Sequence, residues 1–487
     1  MKTIYLIIVA LFLSWTASGQ EYVRYNANSE KGKEHLAAMR VAFEKMRGMD
    51  CTEGLSWYYQ GAMHNIPGTI NGTNKNCAEY QNSDDKLWAW GDCTHISTEN
   101  ARLHFLLWHR MYIWYLEKAV RELSGVDDFA IPYWNYGGES TADNTMPVQM
   151  QDPSSSLFES ARYSILNSGQ PIQPFYVQKI QKEINELMRN PTFAGEGGFT
   201  EKLEAAPHGF MHSYIGAAYS NPRETFYNQI YQEENYPGLM ANVPSAGFDP
   251  IFWLHHSQVD RIWESWDVLP IGERPTLEEI EALPWQYQFI GPKGERVTYT
   301  MAELYKVVFN LDYKYDNLIT PDEPAIAMVE MPESLKKVKP LLGLPEPTVL
   351  WTKDIGQVLG STEFSTTIEK KSAKKTRKSL KKMIERPLIL NVEVSVYDEP
   401  TDFYTVSIRY EGRELEHVGM ITFFGVGHEH GTGANHEIAE AGVDLTYSFH
   451  VSDDLLSSKE PYEIVIEKHG EGDTKVTLEQ ISITRAD

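Results

Sequence analysis

The sequence predicts an α+β protein of more than one domain: a mainly α-helical bundle through about residue 270, then an all-β, sandwich-like domain after Pro387. Three observations predict it. Apolar runs of helical length and spacing recur in the first half, as in His104–Leu123, Pro174–Arg189 and Phe252–Trp266. After Pro387, LILNVEVSVY, FYTVSIRYE, GMITFFGVG, DLTYSFHVS, YEIVIEK and KVTLEQISI alternate or run apolar over strand lengths between turn residues. The 487 residues also exceed what one hydrophobic core usually serves.

The first element is a leader. Met1-Lys2 is a short positive start, Ile4–Trp15 an apolar run, and Ala17-Ser18-Gly19 a small-residue cleavage site. The run falls short of the roughly 18 residues a membrane-crossing helix needs. Residues 1–20 are therefore expected to be a signal peptide, and the mature chain to be secreted or periplasmic. Residues 21–345 form the helical domain with an irregular, proline-punctuated segment from 270 onward. The helix over 252–266 follows Asp249-Pro250, a fitting helix start.

Residues 346–387 read as a linker. Its 369–386 stretch carries nine Lys or Arg against two Glu, a net of 9 − 2 = +7 in a chain whose formal charge is −24. Such a stretch is a solvated connection and a target for an activating protease. Residues 388–487 are the β domain. With 68 acidic against 44 basic residues, the surface repels phosphate backbones and anionic lipid. Neither a nucleic acid nor a membrane is an expected partner. Three cysteines exclude a disulfide scaffold and a Cys-rich zinc module.

The chemistry lies in the histidines. One group is His64, His95, His104 and His109; the other is His208, His212, His255 and His256. His208 and His212 stand at i and i+4, which on a helix puts both rings on one face, about 6 Å apart at Cβ. One such pair is weak evidence; two groups able to give three imidazoles each, with few carboxylates between them, are strong. All-imidazole sets suit copper or zinc, whereas di-iron bundles use Glu-rich sets.

PHGFMH at 207–212, FDPIFWLHHSQVDRIW at 248–263 and LHFLLWHRMYIWYLE at 103–117 together resemble the tyrosinase, catechol oxidase and polyphenol oxidase family of coupled dinuclear (type-3) copper proteins, over roughly residues 55–270. The resemblance implies two copper ions. The first is held by His64 (in GAMHNIPG), His95 and His109, the second by His208, His212 and His256. The position nine residues before His109, where the family's middle ligand usually stands, is Asn100. His95 takes the role because Cys93-Thr94-His95 resembles the Cys-x-His of members with a thioether between cysteine and imidazole. His104 competes, although at i, i+5 it points about 140° away from His109 around the helix. His256 is preferred to His255 because the family ligand stands four residues before the Asp of the Asp-Arg pair, here Asp260. His255 is then a packed or orienting neighbour.

With Cys93 so engaged, Cys51 and Cys77 are a disulfide candidate, which export permits. Glu204 matches the family's water-holding glutamate and is the candidate proton acceptor. Gly209 stands where strongly monophenolase members often have Asn, which tilts the reading toward diphenols.

The implied activity is oxidation of o-diphenols and phenols to o-quinones by O2. An oxygen carrier of the haemocyanin kind is the alternative from another class, and a His-rich metal-storage protein a third. FNLDYKYDN at 309–317 and the C-terminal VGMITFFGVGHEH resemble segments of plant-type polyphenol oxidases, in which the C-terminal domain keeps the enzyme latent. Residues 388–487 are thus expected to shield the site. His428, His430 and His436 read as a Gly-rich polar loop, with an accessory copper site as the sharper alternative.

Overall fold

The computed structural model describes the chain from residue 22 to 485, apart from 66–76, 78–98, 322–347, 369–387, 427–442 and short breaks at 196, 220–223, 283–286, 361–362, 398–399, 401, 411–414, 452–454, 456–460, 471 and 473. The leader, the basic stretch, His95 with Cys93, and His428, His430 and His436 lie outside the described residues.

Six helices frame the first domain: α1 (Glu30–Arg47), α2 (Trp57–His64), α3 (Glu99–Ser124), α4 (Pro174–Leu187), α5 (Phe210–Ile215) and α6 (Ile251–Asp267). Their starts follow local chemistry. Ser29 Oγ accepts Gly32 N–H at 2.9 Å and Ser56 Oγ accepts Tyr59 N–H at 3.0 Å, each satisfying an orphan donor of the first turn. Pro174 occupies the first turn of α4, where a missing N–H costs nothing. At the head of α6, Asp249 Oδ1 accepts Ile251 N–H at 3.1 Å while the carboxylate pairs with the fully buried Arg162. Losing one partner of such a buried pair costs about 3–5 kcal/mol, so the pair anchors the start of α6.

The centre of this domain is aromatic: Trp108, Trp134, Trp253, Trp263 and Trp266 are all fully buried. Strand β1 (Tyr22–Arg24) pairs in parallel with β2 (Tyr313–Tyr315), bringing the start of the described chain to the end of the domain. The 270–321 region holds more order than expected: a hairpin of Tyr287–Ile290 with Arg296–Tyr299, and a helix at Met301–Val308 opened by a Thr300–Glu303 capping box.

The second domain consists of two four-stranded antiparallel sheets. Its strands are β3 (Thr348–Val358), β4 (Glu363–Ile368), β5 (Leu388–Val396), β6 (Phe403–Tyr410), β7 (Glu416–Ile421), β8 (Val443–Val451), β9 (Tyr462–His469) and β10 (Val476–Arg485). The sheet orders are β7-β6-β9-β4 and β8-β5-β10-β3. This corrects the expected boundary, since β3 and β4 fall inside the 346–387 stretch read as a linker. Both are edge strands; β3 is largely exposed, and β4 alternates exposed and buried positions but turns Thr366 as well as Ile368 inward, so neither carries the apolar run of a central strand such as β5. The β domain packs on the helical one through a buried pair, His417 Nε2 with Glu183 Oε1 at 2.6 Å, and through Thr422, which donates to Ala205 O at 2.7 Å.

Candidate metal centre

Two groups of buried histidines meet between the helices. His64, His109 and His256 form one; His208, His212, His255 and His256 form the other. In each group one ring nitrogen per residue lies within 4.8 Å of the others. His64 closes α2, His109 lies in α3 and His256 in α6; His208 sits in the π-helical turn Glu204–Gly209, one turn ahead of His212 in α5. His256 belongs to both groups. It stacks on His109, with centroids 4.1 Å apart and planes 3° from parallel, and its Nε2 is 3.4 Å from His212 Nε2.

Four rings are anchored in one way. Nδ1 of His64, His109, His208 and His212 meets the backbone oxygen of Val243, Phe105, Glu204 and Met240 at 3.0, 2.8, 2.9 and 2.8 Å. A carbonyl oxygen only accepts, so Nδ1 carries the hydrogen and Nε2 keeps its lone pair for a metal. Burial, then the neighbouring imidazoles, hold His212 and His256 well below the ordinary histidine range, and burial pushes His255 down to about 3. These rings stay neutral at physiological pH, the form a metal binds. The donor set is all imidazole in both groups, which fits copper.

The remaining residues fall as follows. His104 is turned away: its Nδ1 meets the Tyr287 hydroxyl at 2.8 Å, and it enters neither group. Glu204 is buried, and its carbonyl holds His208; its charge is also felt by the Tyr447 phenol of β8, which burial and then Tyr219, Glu201 and Glu204 raise well above its usual range. Cys51 and Cys77 are joined in a disulfide with Cα atoms 5.9 Å apart.

One neighbour of the site escaped the sequence reading, and another was given only a packing or orienting role. His255 enters the second group; its Nδ1 lies 2.9 Å from the Tyr136 hydroxyl. The signal was the double histidine itself, because residues one apart on a helix diverge by about 100°, so both can serve a cluster that surrounds the helix. The other is Phe424, from the segment after β7, whose ring stacks on His212 at 4.0 Å and 16° and meets His208 edge-on at 5.6 Å. Phe252 and Phe105 complete the apolar wall, against His64 at 4.8 Å and His208 at 4.7 Å.

A helical bundle holding two adjoining clusters of buried imidazoles has the donor set of a paired metal centre. The family model described as the common central domain of tyrosinase matches residues 54–196 and 177–269. A tyrosinase of Hahella sp. (HcTyr1) is 28% identical over 257 residues, covering 46% of this chain and 49% of that protein. The chloroplastic polyphenol oxidase of Malus domestica is 26% identical over 325 residues, covering 59% and 50%. The chain spans about half the length of these curated relatives. Among solved structures, latent apple tyrosinase matches with a TM-score of 0.61 over 96% of this chain and 98% of that one, at 19% identity, a likeness of fold. Over residues 54–269 the chain is similar to tyrosinases and polyphenol oxidases. No described helix is long and apolar enough to cross a membrane.

Proposed function

We propose that this protein oxidises o-diphenols, and phenols, to o-quinones with O2 at a copper pair, and that the β domain keeps it latent. The observation that carries the reading is the double cluster: buried, neutral imidazoles in two groups that share the His256 wall, with an aromatic ring already stacked on His212. The residues that would hold the metals are His64, His109 and, from the stretch not described, His95 for one ion, and His208, His212 and His256 for the other. When bound, copper supplies the one-electron steps that let two catechols reduce one O2 to two waters.

The chain's own residues do the rest. Backbone carbonyls fix the ring tautomers and their aim. Phe105 and Phe252 wall the site with apolar surface, which excludes water and suits a flat phenolic ring. Phe424 occupies the face of His212 where such a ring would stack, as a bound inhibitor would. Glu204 is assigned to take the phenol proton, a task suited to a buried carboxylate at the mouth of the second group. A cut in the 369–386 stretch by a protease severs the chain between β4 and β5 and so loosens the shield, which then holds only through the pairing of β3 and β4.

The test is copper analysis with oxygen uptake on catechol, tyrosine and an o-aminophenol, before and after limited trypsin treatment. Two coppers per chain and a catechol rate that rises on clipping are expected. Reversible O2 binding without turnover, even after clipping, would instead favour the oxygen carrier.

A further inference from the structure

We propose that Gly209 is the seat on which the β domain closes, so that the absence of a side chain at this position decides whether the centre of the intact chain is covered. The inference deepens the latency reading above and rests on it only for its turnover arm.

The backbone at Gly209 does not call for glycine: φ is −60° and ψ −35°, ordinary right-handed helix. There alanine is favoured over glycine by about 1 kcal/mol. What the position lacks is room. A Cβ on Gly209 would stand 3.1 Å from Thr422 Oγ1, 3.3 Å from Phe424 Cβ and 3.1 Å from Glu204 O. These distances are inside the 3.5–4.0 Å optimum for non-bonded atoms.

Two of the three neighbours belong to the β domain, and neither can withdraw cheaply. Thr422 donates its hydroxyl to Ala205 O at 2.7 Å, and its own carbonyl accepts the Tyr447 hydroxyl. Phe424 is stacked on His212. A Cβ at 209 asks these neighbours to give by a few tenths of an ångström, and a longer side chain such as Asn asks for more, which presses on the Thr422–Ala205 bond and on the stacking of Phe424 against His212. The glycine beside His208 and the covering segment are parts of one device: the site is shut because position 209 is empty.

The experiment is hydrogen–deuterium exchange on the full-length chain, with and without copper, for the wild type, Gly209→Ala, Gly209→Asn, Thr422→Ala and the Gly209→Ala/Thr422→Ala double variant. Exchange in the peptide spanning 416–426 should rise about tenfold in Gly209→Asn and less in Gly209→Ala, while α6 keeps its protection. Gly209→Ala should raise exchange less in the Thr422→Ala background than in the wild type, because one of the two β-domain atoms it presses on is gone, the non-additivity expected of residues in contact. In parallel, clipping should raise catechol oxidation far less in Gly209→Asn than in the wild type, a ratio within each chain that cancels any effect of the Asn on the chemistry. Unchanged exchange at 416–426 in a folded Gly209→Asn chain would overturn the proposal. Equal effects of Gly209→Ala with and without Thr422 Oγ1 would overturn the part given to Thr422 and leave Phe424 as the β-domain contact. If clipped wild-type chain oxidises no phenol, the functional reading fails, and exchange still judges Gly209.

Discussion

Arg110 Nε lies 2.5 Å from Asp260 Oδ1, and this buried pair joins the helix that carries His109 to the helix that carries His256. Each ion follows closely on a histidine of the cluster, by one residue in α3 and four in α6. The pair thus ties together the two helices whose rings, His109 and His256, stack on one another. Arg24, Tyr313 and Tyr315 also bind the Asp260 carboxylate, at 2.8, 2.6 and 2.6 Å, and Arg24 reaches Glu117 at 2.7 Å.

Removing the Asp260 charge should therefore act on both stability and metal content. Burial raises the Asp260 carboxyl, but Arg110, Arg24 and the two tyrosine hydroxyls outweigh it and hold the group below its usual range. A carboxyl depressed in the folded state lends stability above its unfolded pKa of about 3.9, and that stability is lost as pH falls through the lower folded value. Asp260→Asn should cost about 3–5 kcal/mol in urea unfolding at pH 7, and the gap from wild type should narrow below pH of about 4. An unchanged gap at both pH values would show that the pair carries no net stability.

The histidine assignments divide by metal count. His109→Ala or His212→Ala should each take one copper from the chain, and His104→Ala should leave both, since its ring is held by Tyr287. Metal analysis after dialysis reads this directly. Loss of copper from His104→Ala would place that residue in the first site in preference to His95.

Phe424→Ala should open the centre without touching a ligand. The unclipped variant should oxidise catechol several-fold faster than the wild type, and the advantage should vanish once both are clipped. A mutant as latent as the parent would leave the ring's stacking on His212 a packing contact only.

Acid should loosen the domain interface through His469. Its ring lies against Phe175 of α4 and Phe403 of β6, and its Nε2 meets Thr405 Oγ1 at 2.9 Å. Burial, with Lys179 and His417 nearby, pushes it down to about 4. Glu467 stands 3.8 Å away and Glu183 pairs with His417, so both signs of charge face this corner. A histidine whose folded pKa is lowered takes up its proton more readily when unfolded, so stability falls as pH drops from about 6.5 toward the folded value. His469→Gln should flatten the stability–pH curve over pH 6.5 to 4, measured by thermal melts; an unaltered slope would assign the acid response to other groups.

Much of this was legible in the chain. The long helices are apolar over whole turns, so their periodicity marks them, and α3, α4 and α6 lie within a few residues of the expected spans. The i, i+4 spacing of His208 and His212 dictates a shared face in any helix. The edge strands β3 and β4 were missed because polar residues interrupt them, and even the inward-facing Thr366 is polar, so no apolar run marks them as one marks β5. His255 was set aside because the resembled family's ligand stands four residues before Asp260, and only the packing shows that His255 also joins a histidine group.

The sequence by itself determined the helix-then-sheet order, the family motifs and the type of donor, because these depend on residue identity and short-range spacing. Only the tertiary structure decided that Phe424 comes to rest on His212, 212 positions back along the chain, and that Gly209 leaves the space for it. The physical reason is that such contacts are made by surfaces from separate cores, and close packing between cores leaves no periodic trace in either segment.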